Sequence, residues 1–181
     1  MGYTCSSCGK VHNDLPDIGA DKPDHWFSIP ESERAERCKL TPDLCEIDNQ
    51  FFFVRGVIQI PVRDYDRDFG LGVWVSHKRE NFETYAETFR QNNSIVRRIL
   101  GSKALKSEPK PFGPFFGWLD TSIRGFPETK QLKTNAHYRE KEKLRPRIEL
   151  EPTDHPLAVA QREGIGLDEA WRIIHLYLPS D

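Results

Sequence analysis

The hydrophobic pattern of the chain is clearest at residues 51–62, FFFVRGVIQIPV. Phe52, Val54, Ile58, Ile60 and Val62 fall on one side of an extended segment, with Arg55 and Gln59 on the other. This is the period-two signature of a strand. The polar RDYDRD of 63–68 reads as a turn. FGLGVWVS (69–76) returns as the hairpin partner, with Gly70 and Gly72 allowing close backbone approach. Residues 115–119 (FFGWL) form a short apolar strand or turn. Residues 130–138 and 145–151 alternate as strands, with Ile148 and Leu150 inward.

Helical spacing takes over elsewhere. Over residues 78–101, Phe82, Tyr85 and Phe89 recur on one face, Ile95, Val96, Ile99 and Leu100 resume the pattern, and Gly101 supplies a stop. SIPESERAERCKL (28–40) reads as a helix, with Pro30 in a first turn and Ser28 and Glu31 at capping-box spacing. Thr153 and Asp154 are cap residues for a helix over 153–164, with Pro156 early and Gly164 at its end. In the last helix Leu167, Ala170, Trp171, Ile174, Tyr177 and Leu178 make one apolar stripe. The segment 102–114 carries three prolines and is a loop.

There is no internal repeat and no regular alternation of strand and helix. The pattern predicts an α+β fold, an antiparallel sheet of about four to five strands packed by helices. It places residues 1–181 in a single domain, with a Cys-x-x-Cys knuckle at 1–16 packed on the body.

Composition narrows the function classes. Hydrophobic residues make up 37% of the 181 residues, and the formal net charge is −2. A near-neutral balance disfavours nucleic acid as a partner, because phosphate neutralisation drives most of that affinity. No apolar run approaches the roughly 20 residues that span a bilayer. Gly2 and Ser6 fit the short myristoylation pattern, but no charged-then-apolar leader is present. A soluble cytoplasmic protein is expected, where thiols stay reduced unless they bind metal.

The chemistry concentrates at YTCSSCGKVH (3–12). Cys5 and Cys8 at this spacing, followed by a glycine, can point both sulfurs at one ion. Tetrahedral zinc takes four such ligands from thiolate and imidazole. Spacing leaves three completions open: His12 with Cys45, Cys38 with Cys45, or His12 with Cys38. A redox reading needs the pair at a helix N-terminus after a strand, and the local pattern offers neither.

Several ordered stretches, TCSSCGKVH, DLCEID, FFVRGVIQIPV, GVWVS, FFGWL, LKTNAHYR and RPRIELEPTDHPLAVAQREGI, together resemble the uncharacterised bacterial domain-of-unknown-function family 2199. The likeness runs from Tyr3 to His175. It implies a small cytosolic protein without an assigned activity. It also implies a zinc site of Cys5, Cys8, His12 and Cys45, with Cys38 outside the pattern. The chain departs from that family at Leu71, where Trp is usual, at Gly166, where Thr is usual, and in a longer segment at 92–113.

Two function classes follow. One is a non-enzymatic, zinc-stabilised binding or scaffold protein with a protein or small-molecule partner. The other is a small metal-dependent or His/Asp-based hydrolase with His155 and Asp154 as its catalytic candidates, since general acid–base chemistry uses such pairs. No nucleophile elbow, P-loop, H-E-x-x-H or dinucleotide fingerprint is present. The Gly-aromatic runs around Phe69 and Phe115 are core material before they are a pocket. The basic residues His137, Arg139, Arg145 and Arg147 read as a solvated sheet face.

Overall fold

The computed structural model describes residues 3–6, 8–92, 113–139 and 144–178. The expected helix over 78–101 is observed as far as Asn92, and the rest of it, like most of the 102–114 loop, lies outside the described residues. In chain order the elements begin with the hairpin β1 (Tyr3–Thr4) and β2 (Val11–His12), then β3 (Ile18–Gly19) and the short α1 (Asp24–Phe27). A 3-10 turn (Glu31–Glu33) runs into α2 (Arg34–Arg37), β4 (Cys38–Leu40), β5 (Leu44–Ile47), β6 (Phe51–Ile60) and β7 (Phe69–His77). There follow α3 (Arg79–Asn92), β8 (Phe115–Leu119), β9 (Lys133–Arg139), β10 (Leu144–Leu150), α4 (Pro156–Glu163) and α5 (Leu167–His175).

The expected antiparallel sheet is corrected in one respect: it closes. β6 to β10 pair antiparallel in sequence order, and β10 then lies parallel to β6 with Arg147 opposite Val57. The result is a five-strand barrel of mixed orientation. β6 is long enough to serve two neighbours along one edge, with β7 on the other. Its first half pairs with β5 (Phe53 with Cys45), and its second half closes the barrel on β10. Closure depends on Gly56. A Cβ there would stand 2.5 Å from Ile148 side-chain atoms and 2.9 Å from the Pro146 carbonyl, closer than packed atoms allow.

The expected helix over 28–40 is also corrected. Only the 3-10 turn and a single α-turn form, and neither buries a residue. Its Glu and Arg residues suit a helix, but without an apolar stripe the turn gains nothing by continuing. From Cys38 the chain instead pairs with β5, and Cys38 is thereby buried.

One apolar cluster joins the barrel strands (Ile58, Val73, Ala136, Ile148) to α4 (Leu157) and α5 (Trp171, Ile173, Ile174). α5 is fixed at both ends. The turn before it is tied to the end of β6, with the Ile165 amide donating to Pro61 at 2.9 Å and the Arg63 guanidinium donating to Gly164 at 2.9 Å. Beyond its C-terminus, Arg124 donates to the Leu176 carbonyl at 2.7 Å and, through its amide, to the Tyr177 hydroxyl at 2.8 Å. A second cluster, outside the barrel wall, gathers Ile29, Cys38, Cys45, Ile47, Phe53 and Trp74.

Candidate metal centre

The knuckle is a tight loop at the tip of the β1–β2 hairpin. The Gly9 amide donates to the Cys5 carbonyl and the Cys5 amide to the Lys10 carbonyl, both at 2.9 Å. Gly9 sits at φ +69, a left-handed conformation that glycine adopts without steric cost. This fold-back carries Cys5 and Cys8 to the same side and sends the chain into β2, which ends at His12.

The hairpin lies along one stripe of α5. Asp168, Trp171 and His175 are three and four residues apart, so they share a face. Asp168, in the first turn, accepts the Tyr3 hydroxyl and, at 2.6 Å, the Ser6 hydroxyl. Those two donors, Ser6 foremost, hold its carboxyl below the usual range. The His12 ring stacks on Trp171, with 3.6 Å between centroids and 19° between planes. His175, in the last turn, completes the stripe.

At this place Cys5, Cys8, His12 and His175 each offer a donor atom, and all four atoms lie within 4.8 Å of one another. The Cys8 Sγ and His12 Nε2 are 3.3 Å apart. Around tetrahedral zinc, with bonds of about 2.0–2.3 Å, donors stand roughly 3.3–3.8 Å from each other, so the group needs little contraction to fit. Cys5 is buried, Cys8 is exposed, and the two histidines are half-buried.

Cys45 is not in this group. It lies in β5, fully buried beside Cys38 and Trp74, and burial pushes its thiol up to about 12. Burial raises the Cys38 thiol as well. Both are neutral thiols in an apolar cluster, whereas metal binding takes the thiolate. The donor that stands with the knuckle is His175, a residue the linear spacing of the cysteines did not indicate. The sequence signal that could have found it is its place four residues after Trp171, on the same face of the last helix.

The other candidates are placed as follows. His155 is the N-cap of α4: its Nδ1 accepts the Leu157 amide at 3.1 Å, and its Nε2 faces the Glu128 carbonyl at 3.1 Å. The cap is therefore His155 itself and not Thr153 or Asp154. Thr153 instead accepts the His155 amide at 3.3 Å, and Asp154 is exposed. Among the described residues, both ring nitrogens of His155 engage backbone groups. Phe69, Leu71 and Trp74 are buried core residues. Of the basic residues, Arg145 pairs with Asp43 at 2.7 Å and His137 meets Glu149 at 2.6 Å. Among the described residues no helix is long and apolar enough to cross a membrane.

A family model described as "Uncharacterized protein conserved in bacteria (DUF2199)" matches residues 4–165, and the chain belongs to that family. Neither the curated proteins nor the solved structures contain a match.

Proposed function

We propose that this member of an uncharacterised bacterial family is a zinc-stabilised binding or scaffold protein, in which one structural zinc staples the amino-terminal hairpin to the last helix. A single observation carries the reading: two sulfurs and two imidazole nitrogens from distant parts of the chain meet within 4.8 Å. Soft thiolate with imidazole is the donor set that suits zinc. Four protein donors leave no coordination position for water, which separates a structural site from a catalytic one. The engagement of His155 with backbone on both sides of its ring supports the same, non-catalytic reading.

The site ties residues 5–12 to residue 175, so binding the ion is coupled to holding the chain's two ends together. The expected result is equimolar zinc in the native protein and a lower melting temperature after chelation. His175→Ala should lose the metal, while Cys45→Ala should keep it. Metal-free native protein whose melting transition is the same with and without added zinc would sink the reading.

A further inference from the structure

The four cysteines of the chain are not equivalent. Cys5, Cys38 and Cys45 are buried, and Cys8 is exposed. Cys38 and Cys45 are neutral thiols in an apolar cluster, out of reach of a polar oxidant. Cys8 is exposed, and the Cys5 sulfur lies within 4.8 Å of the Cys8 sulfur. The turn between them is closed by its own backbone bonds, Gly9 to Cys5 and Cys5 to Lys10. An exposed cysteine with a second cysteine sulfur poised behind it is the arrangement of a redox-sensitive pair.

We infer that the knuckle is a peroxide-responsive site: Cys8 attacks hydrogen peroxide, Cys5 resolves the product to a disulfide, and the metal is released. The inference rests on the zinc reading above. In the first step the Cys8 thiolate takes one oxygen from the peroxide, which leaves as hydroxide, and Cys8 becomes a sulfenic acid. In the second step the Cys5 thiolate attacks the Cys8 sulfur and expels a second hydroxide. Two protons convert both to water, the two thiolates are oxidised by two electrons, and the peroxide is reduced by two. His12 and His175 remain as two donors, half of what a tetrahedral ion takes.

Three of the contacts that seat the hairpin on α5 do not use sulfur. Tyr3 and Ser6 reach Asp168 through oxygen, and His12 meets Trp171 ring on ring. These contacts outlast the metal, and a dithiol reductant with fresh zinc reverses its loss.

The experiment starts from full-length protein whose zinc content has been measured, so that a failure of the zinc reading shows before peroxide is added. Hydrogen peroxide is then titrated in, released zinc is followed with a chelating dye, and cysteine states are mapped by peptide mass spectrometry. Expected are zinc release in step with a Cys5–Cys8 disulfide, reduced Cys38 and Cys45, and recovery with dithiothreitol and zinc. The variant Cys8→His keeps four donors but cannot form the disulfide, and its zinc release should slow at least about tenfold. Zinc retained under peroxide, oxidation beginning at Cys38 or Cys45, or equal release from Cys8→His would each overturn the inference.

Discussion

The rings of His12 and Trp171 lie one on the other, 3.6 Å between centroids, and this contact joins a hairpin at one end of the chain to a helix at the other. His12 is also one of the four clustered donors, so an ion bound there sits within one ring of an indole. Zinc binding should therefore change Trp171 fluorescence. The chain has four tryptophans, so the signal needs assignment. Trp171→Phe should abolish the zinc-dependent change, and Trp74→Phe, at a tryptophan outside the donor group, should leave it in place. A zinc response that survives in Trp171→Phe would remove the stack from the account.

Asp168 makes the sulfur-free half of the same attachment. Its carboxylate takes hydroxyl bonds from Tyr3 and Ser6, on either side of Cys5. Asp168→Ala should loosen the hairpin without touching a donor atom. Weaker zinc affinity and faster hydrogen exchange at the Cys5 amide, which bonds to Lys10, are the expected readouts. Unchanged exchange with unchanged affinity would show that the docking is carried elsewhere.

His155 tests the boundary between capping and catalysis. As the N-cap of α4 it satisfies the Leu157 amide, one of the donors a helix start leaves open. His155→Ala should cost about 1 kcal/mol by thermal or urea denaturation. His155→Asn, another good cap, should recover most of it. Zinc content should not change in either variant. Equal loss in both variants would show that the ring does something other than cap.

The five barrel strands were legible because their apolar residues repeat locally, as Ile58 and Ile60 do on β6. Their closure was not, because the contact of Arg147 with Val57 joins segments far apart in sequence and leaves no periodic trace. After Ser28 the Glu- and Arg-rich segment turns helically only from Glu31 to Arg37; local propensity favours a longer helix, but pairing of Cys38 with Ile47 takes the chain into a strand. At the candidate metal centre, Cys5, Cys8 and His12 were visible as a spacing. His175 was hidden by distance, and Cys45, drawn in by family resemblance, turned out to fill a core beside Trp74.

Gly56 offers a direct test of the barrel. It stands where β6 meets β10, and a methyl group there would press on Ile148 and the Pro146 carbonyl. Gly56→Ala should destabilise by about 1–3 kcal/mol, the usual cost of overpacking a filled core. Shortening the neighbour in Gly56→Ala/Ile148→Val should restore part of that loss. A Gly56→Ala protein as stable as wild type would mean that the parallel junction is looser than its geometry implies.

His77 should make stability fall in acid. It lies at the end of β7, 6% exposed, with Nδ1 3.2 Å from the Phe116 carbonyl and Nε2 buried without a partner among the described residues. A carbonyl can only accept, so Nδ1 carries the proton and Nε2 is a bare lone pair. Burial lowers the ring from 6.5 to about 4. The unfolded chain therefore takes up the proton first. The contribution of His77 is full above about pH 6.5 and should fall by roughly 3 kcal/mol as pH drops toward 4. Burial raises the Asp120 carboxyl, which acts in the opposite direction, so the comparison with a variant matters more than the raw slope. His77→Phe keeps the volume, gives up the bond to Phe116 at every pH, and has nothing to protonate. Urea midpoints measured between pH 7 and pH 4 should fall more steeply for wild type than for His77→Phe, and the two curves should converge toward pH 4. Parallel curves would show that the ring is not held neutral by its surroundings.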